Sequence, residues 1–151
     1  MLERADNSED IDCILLSGVG DFFSAGADLK DISILQVPLD YNDEDTDIQH
    51  SDIKNTDTSK LKELPVIRFM RKIIWFSKII CVAVNGPAIG IFATLLVHCD
   101  LCYASESAYL WTPFFRLGIA PEFGSSRMFP SLLGRSRATE MLMLGSFFFL
   151  L

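Results

Sequence analysis

At 151 residues, half of them hydrophobic, the chain is long enough to bury a sizeable core and short enough to be one domain. Its formal net charge of −7 gives no support to a nucleic-acid partner, which usually needs a basic stripe, and none is expected. An anionic ligand is still admissible, because backbone N–H groups at a helix start bind phosphate without net positive charge. The opening MLERADNSEDID is neither a signal peptide nor an arginine-rich transit peptide, and the closing SFFFLL is not a receptor-read address of the SKL type. With no secretory signal in view, Cys13, Cys81, Cys99 and Cys102 are expected as reduced thiols rather than a disulfide framework.

In chain order, Ile11–Ser17 (IDCILLS) is a short apolar run closed by Gly18 and reads as a buried strand. Gly18–Asp21 is a loop. Ser24–Asp28 (SAGAD) is rich in small residues, which let a ligand approach the main chain. Asp28 suits the cap of a helix beginning near Leu29. Asp40–Thr58 is polar and acidic, and reads as a solvated loop. It lacks the regular ligand spacing and turn glycine of a calcium loop. Leu61–Ser77 has apolar residues at helical spacing, with Arg68, Arg71, Lys72 and Lys78 around them. An amphipathic helix on the sheet is predicted, with a basic face available to phosphates.

Ile79–Val97 (IICVAVNGPAIGIFATLLV) is apolar and long enough to raise a membrane span. Its punctuation decides otherwise. Asn85-Gly86-Pro87 is a turn cluster. IICVAV before it suits a strand buried on both faces, and IFATLLV after it suits a buried helix. No membrane partner is expected. Asp100–Ala104 and Ala108–Trp111 read as further strands, and Thr112–Pro121 as a loop. Pro121 suits the first position of a helix, with Glu122 in its first turn. Met128–Leu133 is apolar, Gly134 breaks it, and Arg135–Leu144 reads as another helix.

Cys99-Asp100-Leu101-Cys102 is a C-x-x-C, but a second ligand pair for zinc is missing, and the motif lies where a helix gives way to a strand. Structural cysteines are expected, and a structural His98. His50 has no obvious partner. There is no Gly-x-Ser-x-Gly elbow and no P-loop. What stands out is the pair of small-residue loops, Ser24–Asp28 and Asn85–Ile91, each after a predicted strand. In a parallel α/β sheet such loops gather at one edge. One N–H from each can then converge on one oxygen, the requirement of an oxyanion hole.

FFSAGADLKDI, then VAVNGPAIGIFATLL, HCDLCYAS and LGIAPEFGSS with FPSLLGRSRATEML, resembles the crotonase (enoyl-CoA hydratase/isomerase) superfamily over nearly all of Asp12–Gly145. The branch it resembles most is the peroxisomal-type Δ3,Δ2-enoyl-CoA isomerases. The resemblance implies an α/β fold, the crotonase-like spiral of ββα units, here incomplete at both ends. Residues 1–145 would be a partial acyl-CoA-binding domain with an acidic mobile loop at about 39–60, and 146–151 a divergent apolar tail. The substrate would be an acyl-CoA thioester, with no metal and no separate cofactor. A homotrimer would be expected only of a complete chain. The compartment would be the peroxisome or the mitochondrion.

Residue by residue, the resemblance puts the oxyanion-hole N–H groups on Ala27 and Ile91, the latter beside Gly90. It puts CoA contacts on Ser24, Ala25, Gly26, Asp28 and Leu29, with Lys30 near CoA phosphate. The two glutamates with which family hydratases add water correspond to Thr94 and Phe114 here. The isomerases' acid/base glutamate corresponds to Glu122, whose plain reading is a favourable charge at a helix start. The implied activity is conversion of 3-enoyl-CoA to 2-enoyl-CoA in unsaturated fatty acid β-oxidation. Phe114, Phe115 and Phe123 would form an apolar pocket. Two other readings stand beside it: a non-catalytic acyl-CoA-binding or protein-interaction module, as in chromatin corepressors, and an enoyl-CoA hydratase. Apolar surface is expected around Met141–Leu151.

Overall fold

The computed structural model describes residues 1–28 and 64–149. The predicted acidic loop, His50, Lys30 and the helix start at Leu29 lie outside them. In chain order the elements are α1 (Leu2–Asn7), β1 (Cys13–Ser17), α2 (Pro65–Ile74), β2 (Ile79–Val84), β3 (Ala88–Ile89) and α3 (Ile91–Leu95). A 3-10 turn, Leu96–His98, extends α3. Then follow β4 (Leu101–Ala104), β5 (Tyr109–Trp111), α4 (Phe114–Leu117), α5 (Ser125–Leu133), α6 (Arg135–Thr139) and β6 (Phe148–Phe149). A π-helical turn, Glu140–Leu144, closes α6.

β1, β2 and β4 form one parallel sheet in the order β1-β2-β4, with Leu15 opposite Cys81 and Cys81 opposite Leu101. The β-branched run of β2 points Ile80, Val82 and Val84 into the core, where Met70 and Ile73 of α2 and Ala93 and Leu95 of α3 join the same buried cluster. Successive side chains of a strand alternate faces. The other face carries Leu15, Ile79, Leu101 and Tyr103, all exposed among the described residues. β2 is therefore buried on one face there, not on both as its composition predicts, and β1, expected as a buried strand, is only half-buried on its inner face.

α2 starts with Pro65 at its first turn, where a missing N–H costs nothing. Its basic residues are partly engaged within the chain. Lys72 pairs with Glu3. Arg71 lies 5.0 Å over the Trp75 ring. The Lys78 ammonium donates to the carbonyls of Ala5 and Ser8.

The stretch predicted as strand, turn and helix contains one more element, β3, which pairs parallel with β5, Ala88 opposite Leu110. The predicted loop Thr112–Pro121 holds the short helix α4. Near the end of the described residues, β6 pairs antiparallel with β5, Leu110 opposite Phe148. The Trp111 indole donates to the Gly145 carbonyl at 3.0 Å, and the buried Thr112 hydroxyl to the Met141 carbonyl at 2.9 Å. Met141 and Leu142 are buried, while Met143, Leu144, Phe147 and Phe149 are exposed. Among the described residues no helix is long and apolar enough to cross a membrane.

Gly86 is the most closely approached glycine among the described residues. A Cβ built on it would lie 2.0 Å from the Asp21 carbonyl oxygen, a backbone atom that cannot swing aside. Gly86→Ala should therefore destabilise the protein by about 3 kcal/mol, the upper end for overpacking. Urea unfolding of the two proteins checks this, and an unchanged midpoint would contradict it.

Candidate active site

Two loops lie side by side at the ends of β1 and β2. The Pro87 carbonyl accepts from the N–H of Phe23 at 3.0 Å and of Ser24 at 3.1 Å, and the Ile89 N–H donates to the Ser24 carbonyl at 3.0 Å. Ser24 thereby bridges Ala88 in parallel. Gly26, at φ +90°, continues the contact; a Cβ there would lie 3.1 Å from the Ile89 carbonyl. The Asn85 side chain ties the loops together. Its Oδ1 accepts from Gly18 N–H at 2.9 Å, and its Nδ2 donates to the Gly20 carbonyl at 2.8 Å.

Past Ile89, the Gly90 N–H donates to the Trp111 carbonyl at 2.9 Å. Gly90 then turns the chain at φ 60° into α3. Ile91 is the first residue of that helix, so its N–H has no partner within it. Ile91 is buried; Ala25, Ala27 and Asp28 are exposed, and Ser24 and Gly26 half-buried. The predicted binding segment and the predicted start of α3 are thus neighbours up to Gly26 and Ile89. Leu29 lies outside the described residues.

Glu122 is not on a helix. The sequence places Pro121 at a helix start, but α5 begins at Ser125. The cause is the left-handed backbone of Phe123, φ 55°, and Gly124, φ 69°, which no right-handed helix accommodates. Glu122 sits in the turn before it, where its carbonyl accepts from Ser125 N–H at 3.0 Å and Ser125 Oγ at 2.6 Å. The next carbonyl, of Phe123, lies 2.7 Å from His98 Nε2. The Glu122 side chain is half-buried, and that burial raises its carboxyl pKa above the ordinary 4.5.

Four rings connect these segments. Phe23, beside Ser24, meets Phe92, beside Ile91, at 6.2 Å; Phe92 meets Phe69 of α2 at 6.0 Å; Phe69 meets Phe123, beside Glu122, at 6.4 Å. Of the predicted pocket phenylalanines, Phe114 and Phe123 are buried, but Phe115 is 69% exposed and lines no apolar interior. α4 turns it outward while Phe114 enters the core. Thr94 is fully buried, its hydroxyl donating back to the Ile91 carbonyl at 3.0 Å. Burial pushes the Cys99 thiol up to about 12, so it is protonated at neutral pH and no nucleophile. Among the described residues no three His, Cys, Asp or Glu side chains are grouped to hold a metal. A cavity of about 920 Å³ lies away from Glu122, Ala27 and Ile91, lined by Asp6, Ser77 and Asp100 among others.

The family model described as enoyl-CoA hydratase/isomerase matches residues 1–148. The chain belongs to the enoyl-CoA hydratase/isomerase family. Two curated relatives illustrate its range. Mouse (Mus musculus) "Enoyl-CoA delta isomerase 3, peroxisomal" is 38% identical over 131 residues, 87% of this chain and 36% of that one. Human (Homo sapiens) "Chromodomain Y-like protein" is 35% identical over 138 residues, 91% of this chain and 21% of that one. A solved enoyl-CoA hydratase/isomerase from Pseudoalteromonas atlantica superposes with a TM-score of 0.73 at 34% identity, covering 99% of this chain and 50% of that one. The fold is therefore the crotonase fold, and this family member spans about half the length of such a structure.

Two structural roles had little or no signal in the sequence. Asn85 looked like turn punctuation, and its side chain is the link between the loops. His98 looked structural, but nothing pointed to its partner, a main-chain carbonyl 25 residues away.

The raised Glu122 pKa fixes a sign. Above the ordinary carboxyl pKa the folded protein holds a proton that the unfolded chain has released. Stability contributed at acid pH is then lost as pH rises through the raised value. Glu122→Gln should remove that loss. The variant should be at least as stable as the parent at pH 7, and its advantage should shrink toward pH 4. Urea unfolding across this range checks it; an advantage that grows toward pH 4 would contradict it.

Proposed function

We propose that this family member isomerises 3-enoyl-CoA to 2-enoyl-CoA, with Glu122 as its acid/base. The observation that carries the reading is a half-buried carboxyl with a raised pKa, held in a turn whose neighbour Phe123 joins the aromatic contacts beside Ser24 and Ile91. A group that takes a proton and returns it works best with a pKa near the operating pH. Similarity to a delta isomerase supports the same choice. Similarity to that peroxisomal relative also supports a peroxisomal setting.

In the proposed reaction the thioester oxygen faces the N–H groups of Ala27 and Ile91. Ser24, Ala25, Gly26 and Asp28, with Leu29 and Gly90, form the CoA-binding segment. Glu122 removes a proton from C2, negative charge gathers on the thioester oxygen, and the two donors stabilise it. Donors so aimed contribute about 3 kcal/mol each. Glu122 then delivers the proton to C4, and the double bond moves from C3–C4 to C2–C3. Hydration is disfavoured: the corresponding positions are Thr94, whose hydroxyl is engaged, and Phe114, which is buried. A binding module without catalysis is the second reading, favoured by similarity to the chromodomain Y-like protein.

Glu122→Gln keeps the side chain's shape and removes its basicity. It should retain acyl-CoA binding, measured by titration, and lose at least ~10²-fold in 3-enoyl-CoA isomerisation. Thr94→Ala should cost much less turnover. Undiminished turnover of Glu122→Gln would move the acid/base elsewhere. Binding without turnover in the parent chain would establish the module reading.

A further inference from the structure

We infer that His98 is a positioning residue, which holds the Glu122 turn in a fixed place relative to α3 through its bond to the Phe123 carbonyl. The inference rests on the isomerase reading for its catalytic consequence, and on geometry for the rest.

The bond has a defined polarity. A carbonyl oxygen only accepts, so at 2.7 Å it is His98 Nε2 that carries the hydrogen. The imidazole also stacks on the Phe123 ring, with centroids 4.3 Å apart and planes 29° apart. Donor and stack grip the same residue, so the imidazole plane is set by two contacts.

Phe123 is where a grip matters. It is the one described residue other than glycine with a positive φ, a backbone state unfavourable for a side chain with a Cβ. Such a state persists only where surrounding contacts hold it. The carbonyl before Phe123 is held by Ser125, and the carbonyl of Phe123 itself by His98. Fixing both peptide planes fixes φ and ψ of the residue between them.

The two clamps differ in what they fix. Ser125 is three residues from Glu122 and moves with the turn. His98 belongs to another element: it ends the 3-10 turn that continues α3, whose first residue is Ile91. The run from Ile91 to His98 is an unbroken strut, with an oxyanion-hole candidate at one end and the anchor of the Glu122 turn at the other. Proton transfer depends on the base being placed within a fraction of an ångström, and a 1 Å error costs on the order of 10²-fold. His98 touches no reacting atom in this arrangement; its effect passes through the turn.

The test uses the chain as it exists, with two variants. His98→Phe keeps a ring to stack on Phe123 and removes the donor. His98→Gln removes the ring and keeps an amide N–H able to reach the carbonyl. In His98→Phe, the Ser125 amide should exchange with solvent at least tenfold faster. Its kcat for 3-enoyl-CoA isomerisation should fall at least tenfold, with KM within twofold. His98→Gln should recover both to within about threefold of the parent. Unchanged Ser125 exchange in His98→Phe would overturn the inference whatever the activity. So would a loss that His98→Gln shares in full, which would mark general packing. If the parent chain has no turnover, the isomerase reading falls, and the exchange rates alone decide whether His98 holds the turn.

Discussion

The candidate site depends on a contact between two stretches of backbone that leaves no room for a side chain. Gly86 packs on Asp21 of the other loop, and Gly18 on Phe22 and Phe23 of its own, closer than any Cβ permits. Asn85 completes the contact by meeting both an N–H and a carbonyl of the opposite loop through one amide. An amide can do this because it carries donor and acceptor on one rigid plane. Main chain packed against main chain has none of the rotamer freedom of side-chain contacts. Donors carried on two separate loops need that kind of rigidity if they are to meet at one atom.

The crotonase fold then uses Gly90 to redirect this rigidity. Its N–H is held by Trp111 of β5, and its positive φ turns β3 into α3 within one residue. The second sheet thus runs directly into α3 through β3, while Asn85 and Ser24 tie the chain leading into it to the loop after β1. Glu122 arrives from a third direction, on a turn tied to the far end of the same helix. The arrangement separates tasks: loops carry main-chain groups, and a strained turn carries the only carboxylate of its segment.

The sequence made part of this readable. β2 shows in its β-branched run, α2 in the spacing of Met70 and Ile73 after Pro65, and the loops in their glycines. The family resemblance rests on those same motifs, so its fold expectation was sound. The misread parts have physical reasons. Pro121 is a good first helix residue, but the signal lost to left-handed geometry at Phe123, which its residue type does not announce. Phe115 resembles Phe114 in sequence, yet a single turn of helix sends one inward and the other out. β6 hides in a run of phenylalanines that alternates nothing. The partners of Asn85 and His98 are main-chain groups, which leave no residue type to match.

The Asn85 to Gly18 bond spans 67 positions of the chain, and β1 pairs with β2 across a similar distance. A ribosome adds about 5–20 residues each second, so β1 emerges seconds before the strand that completes it. During that interval its hydrogen-bonding edges and the apolar Ile14 and Leu16, which pack on the core of the folded protein, have no native neighbour. Non-local parallel pairing is also slow once both strands exist, because closure must precede reward. The contact that makes the two loops of the candidate site rigid in the finished protein therefore makes them latecomers in its birth.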